Sequence, residues 1–281
     1  MQKVKIITDS SCDLDISYLD ELNVHMCPLV TIFSDGEFLD RVEMSPEEFY
    51  KKLESTKDLP KTSQVTPTLF LEAFKKALEE DMEVLCLAFS SKLSGTYQSA
   101  VLAKEMLDNS EKIHIIDTLS ASVGQGLIVE KAALMAKENK NVNEITQEVF
   151  NMISKIKHLI GVGSLDMLKR GGRISSSKAI VGNLLGVRPI LNVEKGEIFP
   201  LDKARGRKGL IKKLIEILEE SGEDIQNTRI GISYSKEIEI AKELEGELNK
   251  KGINNILISE IGAVIGSHVG PSTIALFFVG K

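Results

Sequence analysis

The chain has 281 residues, 42% of them hydrophobic and 27% charged, and a formal net charge of −6. That length fills one large or two modest globular units with ample core, and the acidic balance argues against a general nucleic-acid binder. No apolar run approaches the roughly 20 residues of a membrane span. Cys12, Cys27 and Cys86 are scattered without a CxxC spacing. They fit a reducing compartment better than a disulfide or metal framework, so a cytoplasmic location is expected.

Residues 4–8 read as a short strand ending in Asp9-Ser10-Ser11-Cys12-Asp13. This end lacks the glycines of a dinucleotide fingerprint. A polar turn with Asp13 capping the segment after it accounts for this stretch as well as a ligand contact does. Cys12 has no base nearby and reads as structural. Residues 25–33 form a second, mostly apolar strand. Ser45-Pro46-Glu47-Glu48 starts a helix to about residue 54, with an N-cap hydroxyl, Pro at the first position and acids in the first turn. Thr66-Pro67 starts another, whose Leu69, Phe70, Ala73, Ala77 and Leu78 share one face. Thr62-Ser63-Gln64 falls in a polar hinge between them.

The run 84–89 leads into Ser90-Ser91-Lys92-Leu93-Ser94-Gly95-Thr96 and then a helical pattern. A buried strand feeding a helix N-terminus is where open α/β sheets bind ligands. Ser94 reads as the N-cap and Gly95 lets a ligand approach the backbone. The hydroxyls of Ser90, Ser91, Ser94 and Thr96 add donors without charge, which suits an anionic head group. Residues 113–117 form another strand, ending in Thr118-Leu119-Ser120-Ala121-Ser122. Three strand ends rich in hydroxyls would lie along one edge of a parallel sheet. Helices over 122–137 and 142–157 close this half.

The second half carries a strand at 159–163 and a helix at 177–185. Strands at 188–193 and 198–201 flank Glu194-Lys195-Gly196-Glu197, a hairpin signal that implies antiparallel pairing. Beyond them come a helix over 208–220, a strand over 229–233, a helix over 236–250 and strands over 255–261 and 274–279. The pattern is α/β, with antiparallel pairing in the second half. The boundary falls near Lys157, giving 1–157 and 158–281, with segment 61–82 free to pack against the second.

TDSSCDL, KTSQVTP, SSKLSGTYQSA, DTLSAS, GSLDMLKRGGRIS and IGSHVGPSTIALFFVG, in this order, resemble the DegV family over essentially the whole chain. That family includes the fatty-acid-binding subunits of bacterial fatty acid kinase. The resemblance implies an α/β fold in two domains, an N-terminal parallel sheet with flanking helices and a C-terminal mixed, largely antiparallel sheet with helices. It also implies a non-catalytic lipid-binding subunit acting in phospholipid synthesis, with no cofactor and no metal. It would bury one long-chain fatty acid such as palmitate, stearate or oleate, whose carboxylate a separate ATP-binding kinase subunit phosphorylates to an acyl phosphate. Carried over by motif, Thr62 and Ser94 contact the carboxylate and His268 lies behind them in a hydrogen-bond network, with Ser63, Gly95 and Thr96 around the fatty-acid site. Arg170, Arg173 and Arg205 would face the kinase, apart from the hydroxyl cluster. A transient membrane contact stays open.

Each assignment has a plainer reading. His268, in a stretch with Gly266, Gly270 and Pro271, could be a hydrogen-bonded core residue. The basic residues 169–173, with Lys178, Arg188, Lys203, Arg205, Arg207 and Lys208, could be a solvated face. Arg173 could also anchor its own loop. Among rival functions, a hydrolase would use Ser94 with His268 as base, although no GxSxG elbow is present. A stand-alone kinase lacks a phosphate loop. A lipid carrier unrelated to any kinase is the third alternative.

Overall fold

The computed structural model describes residues 3–56, 59–108, 110–174, 186–221, 226 and 228–280. The first half runs β1 (Val4–Asp9), α1 (Ile16–Glu21), β2 (His25–Cys27), β3 (Val30–Phe33), β4 (Gly36–Leu39), α2 (Pro46–Ser55), β5 (Lys61–Ser63), α3 (Pro67–Glu79), β6 (Glu83–Ala88), α4 (Thr96–Glu105), β7 (Ile113–Asp117), α5 (Ser122–Lys137) and α6 (Val142–Lys155). A four-stranded sheet of order β2-β1-β6-β7 is parallel throughout. Its strands are near-continuous apolar runs because both faces are covered. Their C-terminal ends, with the three hydroxyl clusters, share one edge as expected.

The second half runs β8 (Ile156–Gly161), α7 (Asp166–Arg170), β9 (Val187–Glu194), β10 (Glu197–Arg205), α8 (Gly206–Glu220), β11 (Ile230–Tyr234), α9 (Ile238–Lys250), β12 (Ile256–Glu260), α10 (Ala263–Val269) and β13 (Ile274–Val279). Its six-stranded sheet has the order β10-β9-β8-β13-β11-β12 and is antiparallel except between β11 and β12. The β9–β10 turn places Lys195 at φ 50° and Gly196 at φ 86°, the left-handed pair of a tight hairpin.

Helix α5 packs on β1 and β6 on one side and on β8, β11 and β13 on the other. Two glycines allow this sandwich. A Cβ on Gly124 would stand 2.5 Å from His158 Nε2, and one on Gly126 would stand 2.8 Å from the Cys12 carbonyl. Val123, Leu127 and Ile128 are buried in the same core as Ile6, Leu85 and Phe277. One helix thereby joins the two larger sheets.

Several sequence expectations are corrected. Residues 25–33 form two strands, because Pro28 interrupts the run: β2 joins the parallel sheet, while β3 starts a separate antiparallel sheet of order β4-β3-β5. The hinge at 62–64 is largely strand β5, paired at Thr31↔Thr62. Asp13 does not cap α1. It sits at φ 53° after a 3-10 turn over Ser10–Cys12, whose start is capped by Asp9. Gly95 rather than Ser94 is the N-cap residue of α4. The stretch holding His268 is helical, as α10. The helix expected over 177–185, with Lys178, lies outside the described residues.

Candidate functional site

The loops at the sheet edge are tied together before any ligand is considered. Asp9 Oδ2 accepts from Phe89 N at 2.8 Å, and Ser120 O accepts from Ser90 N at 3.1 Å. Ser90 Oγ donates to Gly196 O at 2.8 Å, which fastens the β9–β10 hairpin to the same edge. Burial pushes the Cys12 thiol up to about 12, so this cysteine is inert, as its sequence setting suggested.

Between this edge and the six-stranded sheet lies a cavity of about 840 Å³, its mouth included. Its walls are mainly apolar, with Leu29, Phe89, Ile160, Val264, Ile265 and Phe277 among them. Thr62, Ser63, Ser94, Gly95 and His268 line it too, joining three motifs far apart in sequence. Thr96 is buried and does not line it.

Packing of α10 on β5 explains how residues 62 and 268 meet. Thr62 Oγ1 lies 2.8 Å from His268 Nε2. Burial, with the Arg173 charge adding to it, pushes His268 down to about 4, so the ring is neutral at physiological pH. When Nε2 carries the proton it donates to Thr62, whose own O–H is then free to donate to an anion. Nδ1 has no hydrogen-bond partner among the described residues. A Cβ on Gly171 would come within 2.4 Å of that nitrogen.

Ser94 Oγ lies 2.9 Å from Thr96 Oγ1 and accepts from Thr96 N at 3.2 Å. Gly95 is bare for a steric reason, since a Cβ there would sit 2.0 Å from Gln64 Oε1. Gln64 Nε2 donates to Ser99 Oγ at 2.7 Å, which locks the Thr-Ser-Gln segment against α4. Ser94 therefore pairs with Thr96 and His268 with Thr62. The Ser94–His268 dyad of a hydrolase is not formed.

The arginines separate into two kinds. Arg173 lines the cavity, and its Nε donates to Leu93 O at 3.1 Å while Nη1 donates to Gly171 O at 2.5 Å. It anchors the loop and joins the hydroxyl cluster, against the expectation that it stands apart from it. Arg170 is exposed and, with Lys61, Arg173, Thr62 and His268, lines a second cleft of about 720 Å³. The Thr62–His268 pair thus forms part of both the apolar cavity and this basic cleft. Arg205 is exposed at the end of β10 and lines neither.

Two buried carboxylates hold α10 from its start: Asp13, read from the sequence as a cap for the segment after it, and Asp40, which the sequence did not single out. Asp13 Oδ1 accepts from Gly262 N and Asp40 Oδ1 from Ala263 N, each at 2.8 Å. Arg41 Nη2 is 3.3 Å from Asp13 Oδ1 and also donates to Glu260 O. Burial works against the Arg41 charge, but Asp13 and Asp40 outweigh it and its pKa rises. Burial pushes Asp40 up to about 6. No local sequence pattern links residues 13 and 40 to 262–263.

Fold and site define an α/β protein built around one apolar ligand cavity with hydroxyls, a neutral imidazole and a single arginine in its wall, among the described residues. The family model described as "Uncharacterised protein, DegV family" matches residues 3–281, and the chain belongs to that family. A DegV domain-containing protein of Clostridium perfringens is 41% identical, covering 100% of this chain and 98% of its own length. A Thermotoga maritima "Fatty acid-binding protein" is 36% identical over 97% of this chain and 96% of its own. The solved structure "Fatty Acid Binding of a DegV family Protein from Thermus thermophilus" superposes with a TM-score of 0.92 at 31% identity, covering 99% of this chain and 100% of that one.

Proposed function

We propose that this protein binds one long-chain fatty acid, such as palmitate, stearate or oleate, with its tail in the apolar cavity and its carboxylate at Thr62, Ser94 and His268. The observation that carries the reading is the joining of the Thr62–His268 pair and Ser94 to one apolar cavity. The relatives from Thermotoga maritima and Thermus thermophilus, both described by fatty-acid binding, support it. About 15 methylenes at ~0.8 kcal/mol each give roughly 12 kcal/mol of gross transfer free energy. Ordering offsets much of that. A hydrogen bond to a carboxylate contributes only about 1.5–3 kcal/mol. The tail therefore sets affinity and the polar groups set orientation.

The finer role is presentation. A cytoplasmic ATP-binding kinase subunit docks at the cleft bearing Arg170, with Arg205 at the margin, and phosphorylates the carboxylate to an acyl phosphate. That Thr62 and His268 line both cavity and cleft supports this reading, since a carboxylate held by them would be open to a second protein. Arg173 anchors its loop rather than docking the kinase, because its guanidinium donates to Leu93 O and Gly171 O. The protein itself supplies no catalytic group.

Denaturing extraction and lipid mass spectrometry test the first part, with one fatty acid per chain expected. A protein that emerges empty and takes up neither palmitate nor oleate removes the reading. Acyl-phosphate formation with an ATP-binding kinase subunit tests the second. Arg170→Glu should keep lipid and folding but slow that reaction, most strongly at low salt. Lipid binding without any acyl phosphate would leave a carrier unrelated to a kinase.

A further inference from the structure

We propose that Asp13 and Asp40 are positioning residues of the head-group site: they clamp the N-terminus of α10 and so set where His268 meets Thr62. The ligand half of this inference rests on the fatty-acid reading of the cavity; the geometric half does not.

Helix α10 has only seven residues, too short to be stable by itself. The N–H of its N-cap Gly262 and that of its first residue Ala263 are taken by two different carboxylates, Asp13 and Asp40, both fully buried and remote in sequence. Each carboxylate is itself held. Ser122 Oγ donates to Asp13 Oδ2 at 2.6 Å and Ser10 Oγ to Asp40 Oδ2 at 2.8 Å. Through them α10 is referenced to the end of β1, to α5 and to the loop after β4.

The rest of the helix has no slack. A Cβ on Gly266 would lie 2.7 Å from Phe49 Cε1, so α10 sits flush on α2. At the far end Gly270 turns the chain at φ 75°, and Thr273 Oγ1 donates to Val269 O at 3.1 Å. His268 lies about 8 Å along the axis from Ala263. A shift at the clamped end is therefore delivered to an imidazole packed on Gly171.

Stability alone is a weak account of this cluster. Burying an ion pair costs desolvation that apolar side chains of similar size avoid. Here Arg41 pairs with Asp13 and with Asp15 and acts on Asp40 only through its charge, and burial raises the pKa of both Asp13 and Asp40. What the carboxylates supply is a directed pair of acceptors at a fixed place.

His158, which is on β8 and not on α10, is the internal control. The side-chain nitrogen resonances of both histidines would be recorded in the parent, Asp40→Ala and Asp40→Asn, alongside palmitate affinity. Asp40→Ala should move the His268 signals, leave those of His158, and weaken palmitate about tenfold. Asp40→Asn keeps an acceptor for Ala263 N and should restore both readouts. Should Asp40→Ala not fold, Ala263→Pro removes the same N–H from the other side at a first-turn position where proline is tolerated, and should move His268 alike. Unmoved His268 signals, both histidines moving together, or no restoration by asparagine overturns the proposal. If the parent binds no palmitate, the fatty-acid reading fails while the histidine signals still decide the clamp.

Discussion

Thr62 and His268 meet at 2.8 Å; Ser120 and His158 meet at 2.6 Å. In both pairs Nδ1 has no partner among the described residues, and burial lowers the imidazole, to about 4 for His268 and about 3 for His158. Each ring also rests on a glycine, Gly171 in one case and Gly124 in the other. The surroundings differ. His158, on β8, is pressed against α5 and lies edge-on to Phe277 with ring centroids 5.4 Å apart. His268 lies in the wall of an apolar cavity beside Arg173, with a basic cleft on the other side. A hydroxyl–imidazole pair is thus no site by itself. In the proposed reading one of these orders a core and the other meets a ligand, and substitutions should separate them.

The largest separation is expected at the glycines. Gly124→Ala would bring a Cβ within 2.5 Å of His158 Nε2 and 2.9 Å of Phe277 Cδ1. Overpacking of that kind costs about 1–3 kcal/mol, so the melting temperature should fall by several degrees while the folded protein still binds palmitate. Gly171→Ala presses on His268 Nδ1 instead, and should weaken palmitate with little change in melting temperature. Calorimetry and ligand titration on the same samples read both.

Removing the hydroxyls comes next. Ser120→Ala leaves His158 buried without its partner, at a cost of about 1–3 kcal/mol in stability, and should not touch affinity. Thr62→Ala and Ser94→Ala should each lose about 1.5–3 kcal/mol of binding if the hydroxyl donates to the carboxylate, with stability nearly intact. Loss of stability in Thr62→Ala without loss of affinity would make the two pairs equivalent.

The smallest effect is on pH dependence. A histidine whose folded pKa lies below its unfolded value favours the unfolded chain once protons are available, so stability is lost as pH falls below about 6.5. Asp40, raised to about 6, acts in the opposite direction over the same range. The informative quantity is therefore a difference. His158→Gln should lose less melting temperature than the parent between about pH 7 and about pH 4.5. Equal losses would mean that His158 is not the group being titrated.

Much of this was legible in the sequence for identifiable reasons. Apolar runs at 84–89, 113–117 and 274–279 have the length of buried strands, and the Ser45-Pro46-Glu47-Glu48 start is a local signal that the structure reproduces as a capping box. The shared sheet edge could be inferred from three strands ending alike. What stayed hidden depends on contacts between distant residues. The break at Pro28 sends β3 into another sheet, and β5 is a strand only because β3 lies beside it. The stretch 262–271, with Gly262, Gly266, Gly270 and Pro271, reads as a loop until Asp13 and Asp40 hold the start of α10. Gln64 could have been suspected, since it comes directly after Thr62-Ser63. Arg173 reads as surface charge because nothing local announces that Leu93 O will receive it.

The central claim, that the carboxylate rests on Thr62 and Ser94, is tested most directly by the carbon resonance of palmitate labelled at its carboxyl. Bound to the parent, it should give one signal shifted from that of free palmitate. Thr62→Ala and Ser94→Ala should each move that signal, while Ser120→Ala should leave it in place. A carboxyl resonance indifferent to Thr62 and Ser94, or one that responds to Ser120 instead, would contradict the account.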